Sequence, residues 1–177
     1  KDMLSYFHIN PTITNLTQVF IPIMSGCNNY CSFCIVPFTR GKEICRDMSE
    51  MMDEVNKVAK RGAREVNLVG QNVNSYKPSD AVGDSPDSPF TQLLKKIDSV
   101  PSIDRIRFYT VHPKDMGDDV IALYGTLRSM VPHIHLPLQS GCDTVLKRMN
   151  RRYDTARYSE LVTKLRKQLP GISITTD

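Results

Sequence analysis

The feature that most constrains the fold is a regular alternation of short β-rich runs with segments of helical periodicity. The five β-rich runs are residues 18–24, 65–69, 105–110, 133–138 and 172–176. Apolar residues recur at helical spacing between and after these runs, over residues 51–59, 90–97, 120–127, 143–149 and 155–169. This alternation predicts an α/β protein whose strands are parallel and joined by crossover helices. Periodicity alone does not distinguish an open doubly wound sheet from a (β/α) barrel.

Short polar motifs follow four of the predicted strands. They are a cysteine-rich loop after the first strand, GQN at 70–72, VHP at 111–113 and QSG at 139–141. The carboxyl ends of parallel strands form one rim, where a (β/α) barrel gathers its site, whereas an open sheet binds its ligand at one switch point. Four motifs on one rim therefore predict a partial (β/α) barrel, built from strands one to five of a TIM-like open barrel.

The chain divides into two predicted regions. We expect residues 1–17 to be a linker, the tail of a preceding domain, and residues 18–177 to form one incomplete core domain. Ser49 and Gly62 are the predicted start and stop signals of the first long helix. The loop at 77–89, rich in Pro, Ser, Asp and Gly, is predicted to be flexible surface. We see no signal peptide and no apolar run long enough to span a membrane.

Three of the five cysteines, Cys27, Cys31 and Cys34, have the spacing C-x3-C-x2-C. Clustered thiols indicate metal ligation in a reducing cytosol rather than a disulfide framework. Three thiolates can hold three irons of a [4Fe–4S] cube and leave the fourth iron open to a substrate or cofactor. The alternative is structural zinc with a distant fourth ligand, such as Cys45, Cys142 or a histidine.

Charge is distributed unevenly along the chain. No Asp, Glu, Lys or Arg occurs from Met3 to Thr39, which indicates that the cysteines lie in surroundings shielded from water. Farther along, eight basic residues oppose only Asp154 and Glu160. The eight are Lys147, Arg148, Arg151, Arg152, Arg157, Lys164, Arg166 and Lys167. This stretch predicts either a solvated helix face or a contact with a polyanion.

The cysteine motif, with aromatic Phe33 before its last cysteine, resembles that of the radical S-adenosylmethionine (SAM) enzymes. Four stretches in fixed order are similar to the methylthiotransferases of that superfamily, and the resemblance runs from about Gln18 to Asp177. They are FIPIMSGCNNYCSFCIVPFTRGKEICR, REVNLVGQNVNSY, RFYTVHPKDM and HIHLPLQSGCDTVLKRMNRRY. Among the methylthiotransferases, GQNVNSY most resembles the tRNA branch, the 2-methylthio-N6-isopentenyladenosine synthases.

The resemblance implies roles for individual residues. The three clustered cysteines would ligate the catalytic cluster, whose reduced form cleaves SAM to a 5′-deoxyadenosyl radical. The implied cofactor residues are Phe33 on the adenine side, Gln71 and Asn72 at the methionine end, and Gln139 and Ser140 near the ribose. Arg40 and Arg46, which flank a glycine after the cluster loop, are candidate RNA contacts because guanidinium binds phosphate and stacks on bases.

Each of these residues has a structural alternative. GQN can be a glycine-assisted turn, and QSG can contain the N-cap of a helix, at Ser140 or Asp143. The arginines after the cluster loop can form an exposed basic turn paired with Glu43. The histidines of the rim and of the fourth strand are expected to pack or to form hydrogen bonds rather than to bind metal. They are His112, His133 and His135.

The implied activity is insertion of a methylthio group at C2 of N6-isopentenyladenosine next to the anticodon of tRNA. It would require the [4Fe–4S] cluster, SAM, an electron donor such as flavodoxin or ferredoxin, and an auxiliary [4Fe–4S] cluster on a domain outside this chain. We expect a cytoplasmic monomer. Related alternatives are methylthiotransferases of threonylcarbamoyladenosine or of a ribosomal protein aspartate. A zinc-stabilised nucleic-acid-binding module and an electron-transfer iron–sulfur domain are the alternatives of other classes.

Overall fold

The structure is a computed structural model that describes residues 7, 17–81, 83 and 85–177. Apart from Phe7 and Thr17, the predicted linker at 1–17 lies outside the described residues. The strands are β1 Gln18–Pro22, β2 Met24–Ser25, β3 Ile44–Cys45, β4 Glu65–Val69, β5 Arg105–Phe108, β6 His133–His135 and β7 Ser173–Thr175. The helices are α1 Val36–Thr39, α2 Met48–Lys60, α3 Pro89–Asp98, α4 Asp118–Ile121, α5 Asp143–Arg148 and α6 Thr155–Gln168. Two short 3-10 turns lie at Val73–Ser75 and Pro113–Asp115.

Five parallel strands form the frame of the fold. β4 lies between β1 and β5 and pairs in parallel with both, and β6 pairs in parallel with β7. The segment before β6 extends the pairing, because the Ile106 N–H donates to the Ser129 carbonyl at 2.7 Å and the Val131 N–H to the Ile106 carbonyl at 3.4 Å. The α/β prediction with parallel strands is confirmed, and each predicted strand lies where the sequence indicated, although four of the five are shorter.

The helices cover one face of these strands. Val19 and Ile21 of β1 are buried toward that face, as period-two alternation requires, while Phe20 between them is exposed. α3 buries Phe90, which meets Phe108 of β5 edge to face with ring centroids 5.2 Å apart. These residues belong to one hydrophobic core that runs from β1 to α6.

Apart from the exposed Phe20, the opposite face of the strands is polar near their amino ends and centres on Glu65. Its carboxylate accepts hydrogen bonds from Gln18 Nε2 at 2.9 Å, from Arg105 Nε at 2.6 Å and from Arg107 Nε at 3.1 Å. Desolvation opposes ionisation of this carboxylate, but the two arginines outweigh it and lower the pKa of Glu65. The amino ends of β1, β4 and β5 are therefore tied together by one charged network.

The N-cap prediction for the first long helix is wrong. α2 begins at Met48 with Asp47 as its N-cap, and the cap residue's own side chain makes no capping hydrogen bond. The carboxylate of Asp80 accepts from the Met48 and Ser49 N–H groups at 2.7 and 2.9 Å instead. The loop at 77–89 therefore includes a docked portion, because this remote carboxylate satisfies the free donors of the helix.

The predicted helix at 120–127 is mostly turn. α4 ends at Ile121, and Gly125 adopts a positive φ of 77°, which interrupts a right-handed helix. Leu123 and Tyr124 are nevertheless buried, so the apolar pattern identified a core-facing segment but not its conformation. No helix within the described residues is both long and apolar enough to cross a bilayer.

We predict that Leu94→Ala destabilises the protein by about 2–5 kcal/mol, because Leu94 of α3 is fully buried and its removal leaves a cavity. Urea denaturation followed by circular dichroism measures the change. Lys96→Ala on the exposed side of the same helix is the control and should leave the midpoint almost unchanged. Equal midpoints for the two variants would contradict the placement of α3 against the core.

Candidate functional site

The cysteine-rich loop, residues 26–43, is closed at its base by a two-stranded ladder. β2 and β3 pair antiparallel, with Met24 opposite Cys45 and Ser25 opposite Ile44. Just inside the ladder, the Cys27 N–H donates to the Gly41 carbonyl at 3.3 Å. The ladder holds both ends of the loop together beyond the carboxyl end of β1.

Gly26 is the position where the closure of this loop requires glycine. Its φ is +81°, and a Cβ there would lie 2.1 Å from the Lys42 carbonyl oxygen. Its N–H donates to Gln71 Oε1 at 2.8 Å. Gln71, predicted to meet the cofactor, thus holds the thiol loop against the carboxyl end of β4.

The three predicted ligands, Cys27, Cys31 and Cys34, are free thiols and partly exposed on this loop. Burial, together with the nearby Glu43 and the other two thiols, raises the pKa of Cys27. No group of three His, Cys, Asp or Glu side chains in the described part of the chain is arranged to bind a single metal ion. A [4Fe–4S] cube makes a different demand, because each thiolate binds a different iron. Three free thiols on one clamped loop fit that donor set.

Buried polar atoms without a partner lie on the rim beside the loop. Asn72 is 2% exposed, and its Nδ2 donates to Asp115 Oδ2 at 2.8 Å, but its Oδ1 has no partner among the described residues. Ser25 Oγ and His112 Nε2 are also buried and unpartnered in that part of the structure. Buried polar groups are nearly always hydrogen-bonded, so these atoms indicate a place for a polar ligand.

The other predicted cofactor residues lie on or near the same rim. Gln139 has a positive φ of 70°, and its N–H donates to the Asp177 carbonyl at 3.1 Å. Ser140 Oγ accepts from the Cys142 N–H at 3.2 Å, and Cys142, rather than Ser140 or Asp143, is the N-cap of α5. Phe33 is exposed on the thiol loop. The cofactor roles of these residues stay predictions.

The structure separates the two arginines predicted to contact RNA. Arg46 is only 8% exposed, its Nη1 pairs with Glu54 Oε2 at 2.7 Å, and the same atom donates to the Pro22 carbonyl at 3.0 Å. The prediction that Arg46 contacts RNA is therefore wrong, because the side chain is buried and its ion pair links α2 to the end of β1. Arg40 is exposed at the end of α1 and remains a candidate.

The segment after α5 docks on the thiol loop, a contact that the sequence did not predict. Ser32 donates from its N–H to the Met149 carbonyl at 3.1 Å and from its Oγ to the Arg148 carbonyl at 2.9 Å. Asn150, at a positive φ of 56°, donates from Nδ2 to the Tyr30 carbonyl at 2.9 Å. These bonds join parts of the chain about 120 residues apart and hold the tip of the loop.

Arg151 is the functional candidate that sequence reasoning missed. It is 6% exposed, its Nη1 lies 3.4 Å from Cys31 Sγ, and its guanidinium lies 5.3 Å from the centre of the Tyr153 ring. Other members of the basic stretch are exposed, namely Lys147, Arg148, Arg152, Arg166 and Lys167. Arg157 and Lys164 pair with Glu160 on α6. Charge counting alone does not separate the buried arginine from its neighbours.

The three histidines pack or form hydrogen bonds as predicted, and the expectation that they bind no metal stays a prediction. Burial, with a smaller contribution from Arg151, lowers the pKa of His112 to about 3, so its imidazole is neutral near pH 7. His112 Nδ1 accepts from the Lys114 N–H at 3.2 Å. His133 Nε2 and His135 Nδ1 lie 3.2 and 3.0 Å from the hydroxyl of Thr175.

We predict that Gly26→Ala reduces iron bound after anaerobic reconstitution severalfold, because a Cβ cannot fit against Lys42 and the loop must open. Gly41→Ala is the matched control. Gly41 also has a positive φ, of 75°, but a Cβ there would meet nothing within 4 Å. Iron and acid-labile sulfide assays measure the result. Equal losses of iron in both variants would mean that backbone strain, and not the close approach at Gly26, causes the effect.

Comparison with known proteins identifies the family. The Radical SAM superfamily model matches residues 21–177. The chain is 48% identical over 160 residues to the tRNA-2-methylthio-N(6)-dimethylallyladenosine synthase of Oleidesulfovibrio alaskensis, covering 90% of this chain and 34% of that protein. It is 44% identical over 169 residues to the synthase of the same name from Endomicrobium trichonymphae, covering 96% and 39%. The chain thus spans about a third of the length of the curated relatives it matches.

Solved structures show the same fold at low sequence identity. The methyltransferase TsrM from Kitasatospora setae, a radical SAM protein solved with cobalamin and a [4Fe–4S] cluster, matches with a TM-score of 0.67 at 17% identity, covering 89% of this chain and 30% of that one. The cobalamin-dependent SAM radical enzyme OxsB matches with a TM-score of 0.60 at 14% identity, covering 89% and 23%. The five parallel strands are therefore part of a radical SAM barrel. This chain belongs to the radical SAM superfamily.

Proposed function

We propose that the protein to which this chain belongs is a tRNA methylthiotransferase that modifies C2 of N6-isopentenyladenosine next to the anticodon. The observation that carries the proposal is the loop of three free thiols, clamped at the carboxyl rim of a radical SAM barrel. The identity of 44–48% to proteins named for this activity supports the choice of substrate. The adenine C2–H is unreactive toward ordinary nucleophiles, which is why a radical enzyme suits it.

The thiol loop and the rim would share the binding of the family's cofactors. Cys27, Cys31 and Cys34 would ligate three irons of a [4Fe–4S] cluster, which with SAM supplies radical chemistry when bound. Asn72 offers its unpartnered Oδ1 to an ammonium group. The buried guanidinium of Arg151 would pair with the carboxylate of a ligand, because no carboxylate of the described residues lies within ion-pair distance of it. The methionine part of SAM has both groups, on its α-carbon.

Exposed side chains on the thiol loop support an RNA substrate. Phe38 is 80% exposed on α1, and Arg40 and Lys42 follow it, both exposed. An aromatic ring next to cationic side chains suits unstacked bases and their phosphates, as an anticodon loop presents them. Phe33 and Ile35 are further exposed apolar side chains on the same loop.

The proposed activity would also require groups and partners outside this chain. An auxiliary [4Fe–4S] cluster would be carried by the part of the protein outside this chain. A flavodoxin or ferredoxin would supply the electron, and the protein would act as a monomer in the cytoplasm. A methylthiotransferase of threonylcarbamoyladenosine or of a ribosomal protein is the second candidate, because the thiol loop serves any radical SAM methylthiotransferase. Membership of the superfamily argues against the zinc module.

We predict that Cys31→Ala abolishes release of 5′-deoxyadenosine from SAM by the full-length reduced protein. In a strain lacking the gene, the variant should also fail to restore 2-methylthio-N6-isopentenyladenosine, because the cluster has lost a ligand. Cys142→Ala is the control, since this cysteine is exposed and makes no capping bond from its side chain. Nucleoside mass spectrometry measures the product. Persistence of that nucleoside in the deletion strain would show that the substrate is a different one.

We predict that Phe38→Ala weakens binding of the isopentenylated anticodon stem-loop to the full-length protein by about 1–3 kcal/mol, the usual contribution of one stacked base. Arg40→Gln should weaken binding and reduce its dependence on salt. Fluorescence anisotropy measures both. Arg61→Gln is the control, because it removes the same charge from an exposed residue just after α2, near the amino ends of the strands. This variant should bind the stem-loop with the affinity of the unsubstituted protein. Unchanged affinity in both loop variants would contradict the RNA surface.

A further inference from the structure

Arg151, which is buried, and Tyr153, which is half-buried, form a unit between two rim strands and the thiol loop. Arg151 Nε donates to Tyr153 Oη at 3.2 Å, and its Nη1 reaches Cys31 Sγ at 3.4 Å. The guanidinium also lies over the face of the Tyr153 ring, a cation–π contact. One side chain thus connects a predicted iron ligand to an aromatic support.

The support itself is fixed by two strand ends. Tyr153 Oη donates to the Leu138 carbonyl at 2.6 Å, and the same hydroxyl lies 3.1 Å from the Pro137 carbonyl, both just past β6. Its ring meets the His112 ring past β5, with centroids 5.6 Å apart and planes at 83°. Since His112 is neutral near pH 7, it adds no second positive charge to this unit. Tyr153 therefore holds the guanidinium in one place.

The position of the Arg151 cation affects how readily the cluster accepts an electron. Reduction adds one electron from the donor flavodoxin or ferredoxin, which is oxidised by one electron, and the charge beside the thiolates becomes more negative by one unit. Hydrogen bonds to the sulfurs and nearby charge set the potential of iron–sulfur clusters. A buried cation on Cys31 stabilises the reduced form more than the oxidised form, because solvent screens it little.

We propose that Arg151 raises the reduction potential of the [4Fe–4S] cluster by donating to Cys31, and that Tyr153 is the positioning residue that holds it there. This inference rests on the proposed function, since it requires a cluster on the three thiols. It adds a role in electron acceptance that precedes any contact of Arg151 with SAM. It also separates Arg151 from the exposed arginines of the same stretch.

The test is a potentiometric titration followed by electron paramagnetic resonance. It uses the full-length reconstituted protein without SAM or tRNA, and the signal that Cys31→Ala removes identifies the relevant cluster. We expect Arg151→Gln to shift its potential to a more negative value. Arg151→Lys, which keeps the charge, should lie between this variant and the unsubstituted protein. Arg148→Gln is the control, because its side chain is exposed and it loses the same charge nearby.

A second variant keeps the test decisive if Arg151→Gln fails to retain iron. Tyr153→Phe preserves the ring but removes the hydroxyl that fixes the guanidinium, and it should shift the potential in the same direction by a smaller amount. A potential equal to that of Arg148→Gln, in either variant with full iron content, would overturn the inference. The absence of any iron–sulfur cluster in the unsubstituted protein would instead contradict the proposed function.

Discussion

The site depends on the clamping of one uncharged loop at its base and at its tip. A segment with three thiols and no charged residue before Arg40 has little to define its conformation. The β2–β3 ladder and the contact of Gly26 with the Lys42 carbonyl close its base. Gln71 ties that base to β4, and Asn150 ties the tip to the segment after α5. Backbone and amide hydrogen bonds therefore fix the position of the thiol loop.

The charged residues of the strands and of the thiol-loop surroundings have different kinds of partner. Glu65 pairs with two arginines toward the amino ends of the strands, far from the thiols along β4. Arg46 is paired with Glu54 of α2 and ties that helix to the end of β1. Arg151 has no such carboxylate among the described residues and faces a thiol instead. A buried cation that lacks an internal counter-ion is costly, so it is best explained by an anionic partner that binds there.

The sequence predicted the architecture well because its signals were periodic. Parallel strands, the helices α2, α3, α5 and α6, and the placement of four motifs on one rim all follow from patterns of apolar residues and turns. The N-cap of α2 was missed because Asp80, a residue remote in sequence, does the capping. The helix at 120–127 was overpredicted because apolar spacing does not reveal the left-handed backbone at Gly125. Local patterns therefore identified elements better than their ends.

The site was predicted only in part, for a related reason. The thiol spacing predicted the loop that would hold the cluster, but the contact of Arg151 with Cys31 joins residues 120 apart in sequence and has no local signature. Arg46 looked like Arg40 in sequence, and only burial separates an internal tie from an exposed cation. Motifs indicate which residues reach the rim. Which of them face a ligand and which support the loop is decided by packing.

Three cysteine ligands on a cluster of four irons would leave one iron open, and we expect SAM to bind there. Electron–nuclear double resonance on the reduced full-length protein tests it directly, with SAM labelled with nitrogen-15 at the amine and oxygen-17 at the carboxylate. We expect hyperfine coupling of both labels to the cluster that Cys27, Cys31 and Cys34 bind. A cluster with a fourth protein ligand and no coupling to either label would contradict it.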